Sequence, residues 1–162
     1  MSIQTSDARD QAIEILDSCV FHATRLKECL QDEHDALAEQ DLDALMTAIE
    51  DKGLCVRELQ KSEARRAALC DAAGFPDGPS QMADFSDWCD EESLIERSWD
   101  DLLGIAAECN SLNLANGAFI RVRKQHIDAG IAVLRGIDPA TPTYDRHGGA
   151  RDGLGNRSIA EA

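Results

Sequence analysis

The chain of 162 residues is long enough for one domain with a shared core, and 43% of its residues are apolar. Its net charge of −15 argues against binding to nucleic acid or to an anionic membrane surface, because both are bound through clustered Lys and Arg. Aromatic residues are few and no run of alternating β-branched residues occurs, so the sequence predicts an all-α fold without strands.

The first predicted helix covers residues 7–39 and follows a short polar leader in which Ser6 is the expected N-cap. Asp7 falls in the first turn, where a carboxylate interacts favourably with the helix dipole. Charged residues that include Glu33, together with the neighbouring His34, are expected on the solvated side of this helix. Its apolar stripe recurs at steps of three and four residues and consists of Ala12, Leu16, Cys19, Ala23, Leu26, Leu30 and Leu37.

A tight turn near residues 39–41 leads into the second predicted helix, residues 41–73, which Asp41 is expected to cap. Lys52 and Glu63 interrupt its stripe, so we expect this helix to make contacts along an edge rather than in a deep core. A short turn between two long amphipathic helices predicts an antiparallel pair. The stripe consists of Leu42, Leu45, Ile49, Val56, Leu59 and Cys70.

Glycine and proline residues between Gly74 and Ser80 are predicted to stop the second helix. An acidic stretch with interleaved aromatic residues follows, from Asp84 to Asp101, and we interpret it as a helical lead into the third helix, with a break near residues 89–92. Its charge is typical of a solvated face. The alternative is a docking surface for a basic segment of a partner.

The third predicted helix, residues 84–136, carries a long stripe near the seven-residue repeat of coiled coils. A second apolar set, Leu114, Phe119, Val122 and Val133, faces away from it. Because a helix that is apolar on two sides needs more than one partner, either both sides belong to the core or one side is kept for another protein. The main stripe consists of Leu102, Ala106, Cys109, Leu112, Asn116, Ile120, Ile127, Ile131 and Leu134.

The predicted architecture is an elongated bundle of three long antiparallel helices in residues 1–136, followed by a tail in residues 137–162. The tail contains several prolines and glycines, has no helical period and offers few large apolar groups. It cannot bury enough surface to offset the entropy of ordering, so we expect it to be mobile. Tyr144, the single tyrosine of the chain, lies in this tail.

The residues that could support chemistry form no recognisable catalytic or metal-binding arrangement. The six cysteines include no Cys-x-x-Cys pair, which favours reduced thiols packed as small apolar residues. A zinc site, or an enzyme that uses these cysteines, is the alternative. The paired Glu-x-x-His of di-iron bundles and the phosphate-binding glycine loop do not occur. The sequence therefore favours a binding module over an enzyme, with no cofactor and no metal.

The cellular location is predicted from the same kind of pattern. The first residues lack the basic start and the apolar core of a signal peptide, and no apolar run is long enough to span a bilayer. We therefore expect a cytoplasmic protein.

Three stretches of the chain carry a family resemblance. LNLANGAFIRVRKQHIDAGIAVLRG, from Leu112 to Gly136, contains an Asn-x-x-Asn-Gly element in the last helix. TPTYDRHGG, from Thr141 to Gly149, places a tyrosine before glycines in the tail, and LAEQDLDAL, from Leu37 to Leu45, forms the turn of the first hairpin. Together these stretches resemble the FlgN family of flagellar export chaperones.

The resemblance implies a cytoplasmic, mainly helical chaperone of the flagellar type III export system. Such proteins bind the hook-associated proteins FlgK and FlgL through a C-terminal helical region, prevent their premature assembly and deliver them to the export gate protein FlhA. Tyr144 would be the tail tyrosine that contributes to docking at the gate. The partner-binding residues would be Leu112, Leu114, Phe119, Ile120, Ile127, Ile131 and Leu134.

Two other functions fit the same pattern. A chaperone of the FliT type, which serves the filament cap protein, would share the helical bundle and the acidic charge. A structural coiled-coil adaptor would self-associate and have no role in export. Self-association of the free chaperone is left open by the sequence.

Overall fold

The computed structural model describes residues 4–135 and, for their backbone, residues 143–144 and 150–151. Four helices follow in chain order: α1 (Thr5–Glu39), α2 (Leu42–Ala72), α3 (Gln81–Cys89) and α4 (Leu94–Leu134). This arrangement confirms the predicted all-α fold class. The stretch expected to lead into the third helix, Asp84 to Asp101, is divided: its first part belongs to the short helix α3, and its last part begins α4.

Two strands of two residues each, β1 (Thr143–Tyr144) and β2 (Ala150–Arg151), pair antiparallel with Tyr144 opposite Ala150. The sequence analysis did not foresee this pair, because two residues are too few to show a period of two. Apart from these four residues, the tail predicted to be mobile, residues 137–162, lies outside the described residues.

The chain divides into two compact units, residues 1–118 and 119–162. In the first unit a hydrophobic core forms between α1, the end of α2, α3 and the beginning of α4. Phe85 of α3 is fully buried in it and packs edge-on against Phe75, with ring centroids 5.7 Å apart. The buried core residues are Ala8, Ala12, Ile15, Leu16, Cys19, Ala23, Leu69, Cys70, Met82, Phe85, Cys89, Ile95 and Leu102.

The first helix begins earlier than predicted. Its N-cap is Gln4, whose side chain makes no capping hydrogen bond, and Ser6 lies inside the helix, so the expected Ser6 cap is wrong. The backbone N–H of Ala8 donates to the carbonyl oxygen of Gln4 at 2.9 Å. Because Ala8 is fully buried, packing against the core stabilises this first turn without a side-chain cap.

The turn between α1 and α2 agrees with the sequence prediction. Gln40 takes a left-handed conformation with φ of 62°, and the side chain of Asp41 accepts a hydrogen bond from the Ala44 N–H at 3.0 Å. Two contacts between the helices show that they run antiparallel. Glu33 of α1 contacts Lys52 of α2 near the turn, and Ser18, earlier on α1, contacts Ser62, later on α2.

The stripe predicted for α2 is only partly buried. Leu42 and Ile49 are exposed, whereas Cys70 is buried as expected. The buried side of α2 is formed by Ala48, Ser62, Arg66, Leu69 and Cys70. The two charged residues that interrupt the stripe both form ion pairs: Lys52 pairs with Glu33 of α1, and Glu63 pairs with Arg66 one turn later on α2.

Gly74 ends α2 as predicted. Its φ is +93°, the Phe75 N–H donates to the Cys70 carbonyl at 2.8 Å and the Gly74 N–H donates to that of Asp71 at 3.0 Å. This pattern of crossing bonds is the Schellman motif, which favours glycine at its left-handed position.

The corner between α3 and α4 falls where the sequence suggested a break. One carboxylate oxygen of Asp90 accepts the Ile95 N–H at 2.6 Å, and the other lies 3.4 Å from Arg9 of α1. Asp90 is buried, so this part of the acidic stretch is not a solvated face but a structural cap.

Two further properties concern the described residues alone. No helix among them is long and apolar enough to cross a membrane. Their six cysteines are free thiols, of which all but Cys55 are buried.

Candidate partner-binding surface on the last helix

Within the first unit, α4 buries one face against α1. Leu102, Cys109 and Asn116 are buried and follow one another at seven-residue steps. The Cys109 thiol donates to the Ala23 carbonyl at 3.6 Å, and the Asn116 amide nitrogen donates to that of Leu30 at 2.9 Å. Both pairs are separated by 86 positions, so the two helices run parallel in one constant register.

The predicted stripe is narrower than expected in this region. Ala106, which the sequence analysis assigned to the stripe, is exposed, and Leu112 is half-buried. Side chains at the seven-residue positions face α1 and are buried, whereas stripe residues beside these positions stay in contact with solvent.

A polar cluster around Asn116 joins α1, α2 and α4. Asn116 is 2% exposed, and its amide oxygen lies 2.9 Å from Nδ1 of His34. Its amide nitrogen donates to Glu33 at 3.1 Å as well as to Leu30. Lys52 of α2 donates to both carboxylate oxygens of Glu33 at 2.8 Å. We refer to Asn116, His34, Glu33 and Lys52 as the Asn116 cluster.

The expectation that Glu33 and His34 lie on the solvated side of the first helix is wrong. Glu33 is 4% exposed, and His34 is half-buried. A carboxylate tolerates this burial because Lys52 neutralises its charge and Asn116 provides a further donor. Two signals in the sequence pointed to the cluster: Lys52 interrupts the second stripe, and Asn116 lies on the third.

The second unit has an apolar row of its own on α4. Ile120 is followed by Ile127 at seven residues, and Ile131 and Leu134 complete the row. Their exposed fractions are 47%, 62%, 41% and 88%, in that order. We refer to these four residues as the exposed α4 face. Among the described residues of the second unit, none is buried.

The other predicted partner-binding residues take different positions. Leu114 is exposed. Phe119 is half-buried, and the guanidinium carbon of Arg123 lies 5.3 Å from its ring centroid. Among the predicted partner-binding residues, Ile120, Ile127, Ile131 and Leu134 share one face of α4 within the second unit, whereas Leu114 belongs to the first unit. The predicted docking residue Tyr144 lies in β1.

The charge along this part of α4 is opposite to that of the whole chain. Between residues 119 and 135, Arg121, Arg123, Lys124 and Arg135 outnumber the single acid Asp128, whereas the chain carries a net charge of −15. All five of these side chains are exposed. A basic, apolar surface in an acidic protein attracts a partner segment that combines apolar and acidic residues.

A second apolar row was missed as a surface by the sequence analysis. Leu42, Met46 and Ile49 lie at four- and three-residue steps on α2, and all three are exposed. The predicted stripe of the second helix includes Leu42 and Ile49 but not Met46. Periodicity identifies such a row but does not tell whether another element covers it.

In the comparison with protein families, the model of the family described as FlgN protein matches residues 1–152. No curated protein and no solved structure matches the chain.

Proposed function

This chain belongs to the FlgN family, whose members are flagellar export chaperones, and we propose from this premise that it holds FlgK and FlgL in the cytoplasm and delivers them to FlhA. The proposed cargo site is the exposed α4 face. The proposed docking element for the export gate is the segment around Tyr144.

The observation that supports this cargo site is a row of exposed aliphatic residues at helical spacing within the second unit. Ile120, Ile127 and Leu134 follow one another at seven-residue steps, Ile131 lies four residues after Ile127, and all four are exposed. An amphipathic helix of the cargo can pack on such anchors, which is the helix-in-groove mode of recognition.

This arrangement also explains how premature assembly is prevented. Helices that assemble by coiled-coil packing expose an apolar stripe while they are alone. A chaperone that covers the stripe removes the surface through which the hook-associated proteins would join each other. The cargo is released once the export machinery takes over its terminal helix.

The size of the site suits reversible binding. Burial of four large aliphatic side chains stabilises a complex by about 6–12 kcal/mol in total. Loss of translational and rotational freedom opposes association by at least about 4 kcal/mol. The difference corresponds to weak or moderate affinity, as a carrier that must give up its cargo requires.

The proposed partner-binding residues also include Leu112, Leu114 and Phe119. Leu112 and Phe119 are half-buried, and Leu114 is exposed, so each offers apolar surface to a partner segment.

A pair of matched variants tests the cargo site. Ile127→Asp places a charge on the exposed α4 face, and Val133→Asp places the same charge on another side of α4, at an equally exposed aliphatic residue. We expect Ile127→Asp to weaken binding of FlgK and FlgL from the same organism at least tenfold in calorimetric titration. Val133→Asp is expected to bind them normally.

Both variants should keep the helical circular dichroism spectrum, because neither residue is buried. Equal affinity of the two variants for FlgK and FlgL would contradict the assignment of the cargo site to this face.

The docking role of Tyr144 is tested separately. Tyr144→Ala is expected to reduce export of the hook-associated proteins while their binding to the chaperone is unchanged, and Tyr144→Phe separates the hydroxyl from the ring. Normal export by Tyr144→Ala would contradict the docking role and would leave the cargo site unaffected.

A further inference from the structure

Two thiols face each other across the α1–α2 pair. Sγ of Cys29 on α1 lies 4.0 Å from Sγ of Cys55 on α2. Cys29 is 2% exposed, whereas Cys55 is half-buried and reaches solvent. Other buried thiols have carbonyl acceptors instead: Cys89 donates to Phe85 at 3.3 Å, and Cys109 donates to Ala23 at 3.6 Å.

We propose that Cys29 and Cys55 form a redox modification site, at which a peroxide converts the two thiols into a disulfide between α1 and α2. A disulfide bond is about 2.05 Å long, so the sulfurs must approach each other by about 2 Å. The proposed link requires rotation of the two side chains, and both residues belong to helices that are already packed together.

The exposure of the two residues sets the order of the steps. Burial, and then the neighbouring Cys55, raise the pKa of the Cys29 thiol from 9.0 to about 11, so Cys29 stays protonated at neutral pH. Cys55 reaches solvent and is therefore the residue that meets the oxidant. Because the thiolate is the reactive form, the buried partner is the resolving cysteine and not the peroxide-sensing one.

The first step oxidises Cys55. Its thiolate attacks one oxygen of hydrogen peroxide, so that an S–O bond forms and the O–O bond breaks. The departing hydroxide takes up a proton and becomes water. The Cys55 sulfur has lost two electrons and is now a sulfenic acid, and the peroxide has been reduced.

The second step closes the cross-link. The Cys29 sulfur attacks the Cys55 sulfur, so that the S–S bond forms and the S–O bond breaks. The hydroxyl group leaves with the proton of Cys29 as a second water. Overall, two thiols and one hydrogen peroxide give one disulfide and two waters.

The position of the cross-link gives it a structural effect. Glu33 lies one turn after Cys29 on α1, and Lys52 lies one turn before Cys55 on α2. The disulfide would therefore fix the two helices directly beside the Glu33–Lys52 ion pair of the Asn116 cluster. Oxidation is expected to hold together the part of the hairpin on which Asn116 of α4 is anchored.

The test treats the full-length protein with hydrogen peroxide, blocks the remaining thiols by alkylation and maps the peptides by mass spectrometry. We expect the protein to lose two of its six free thiols. The Cys29 and Cys55 peptides should appear as one linked species, about 2 Da lighter than their sum. The oxidised protein should melt on the order of 5 °C higher than the reduced one, because the link constrains the unfolded chain.

Three variants serve as controls. Cys29→Ser and Cys55→Ser should each abolish the linked species, whereas Cys109→Ser should form it normally, since its hydroxyl can still donate to Ala23. Retention of all six thiols by the wild-type protein, or a disulfide between other cysteines or between two molecules, would overturn the proposal. The wild-type peptide map decides the question even if a variant does not fold.

Discussion

Nδ1 of His34 lies 2.9 Å from the amide oxygen of Asn116, while the amide nitrogen of Asn116 donates to the Leu30 carbonyl. Because an amide oxygen can only accept, Nδ1 of His34 carries the proton in this hydrogen bond. Both ends of one buried amide are thus bound to α1. Such an amide favours a single axial alignment of two helices, because a shift of either helix leaves polar groups unpaired.

Asn116→Ala should therefore destabilise the first unit strongly. It removes one hydrogen bond each from His34, the Leu30 carbonyl and Glu33, in a largely buried region. The loss of these three bonds costs about 2–4 kcal/mol of unfolding free energy. Urea denaturation measures the difference. The matched control is Asn113→Ala, an exposed asparagine of the same helix, which should change stability by less than about 0.5 kcal/mol. Similar losses for both would show that the cluster contributes nothing specific.

Lys52→Met should destabilise more than the loss of a surface ion pair. Lys52 is the cation that pairs with the buried Glu33, and its removal leaves a buried carboxylate that keeps the hydrogen bond from Asn116 but has lost its counter-charge. Breaking one side of such a pair costs about 3 kcal/mol. Lys61→Met breaks the exposed Glu58–Lys61 pair and should change the unfolding free energy by less than about 1 kcal/mol. If the two variants are equally stable, Glu33 is not held by Lys52 in solution.

The stability of the protein should decrease at alkaline pH. Burial raises the pKa of Cys89, with a further contribution from Asp90, from 9.0 to about 11. Between these two values the unfolded chain has lost the proton of this thiol while the folded chain keeps it. The unfolded state then binds fewer protons, so the unfolding free energy is unaffected below about pH 8 and falls as the pH rises from 9 to 11.

Cys89→Ala provides the comparison for this pH effect. The variant lacks the thiol, so the difference in stability between wild-type protein and variant should shrink as the pH rises through that range. Urea denaturation at a series of pH values measures it, and a difference that is constant with pH would contradict the raised pKa. Cys19, Cys70 and Cys109 contribute in the same direction, because burial raises their pKa values too.

Asp41→Ala should reduce stability by about 1 kcal/mol, because it removes the side-chain oxygen that accepts the Ala44 N–H at the start of α2. Asp43→Ala removes an exposed carboxylate from the same first turn, where it interacts only with the helix dipole. Its expected effect is smaller, roughly 0.3–1 kcal/mol. Thermal unfolding of the two variants side by side tests the cap, and a smaller loss for Asp41→Ala than for Asp43→Ala would argue against it.

Lys124→Glu should slow cargo association without changing the fold. Lys124 is exposed and lies beside the exposed α4 face, in the basic part of an acidic chain. Charge reversal there should lower the association rate about three- to tenfold at low salt, and the difference from wild type should vanish at high salt. Stopped-flow mixing with FlgK at two salt concentrations measures this. An effect that persists at high salt would show that Lys124 makes a direct contact.

Local signals in the sequence were sufficient for the ends of α2. Asp41 caps the N-terminus of α2 and Gly74 ends the helix, and both interact only with backbone a few residues away in the sequence. Their roles therefore follow from residue type and position. Ser6 had the right residue type but did not become the cap, because the burial of Ala8 stabilises an earlier start. Capping preferences are small, and packing overrides them.

The Asn116 cluster could not be predicted in the same way. Glu33 and Lys52 are 19 positions apart, and Glu33 and Asn116 are 83 apart, so their pairing depends on the register of three helices. Periodicity gives the face of each helix but not the height at which helices meet. For the same reason the sequence could identify Ile127 and Leu42 as apolar stripe residues, but not that both are exposed.

The register between α1 and α4 has a consequence for synthesis on the ribosome. The α1–α2 hairpin closes through a turn of two residues, whereas the bonds from Cys109 to Ala23 and from Asn116 to Leu30 span 86 residues. The hairpin can form on the nascent chain long before α4 has been translated. Until Asn116 emerges from the exit tunnel, the side of α1 that α4 later covers stays open, and translation of α4 is the event that completes the fold.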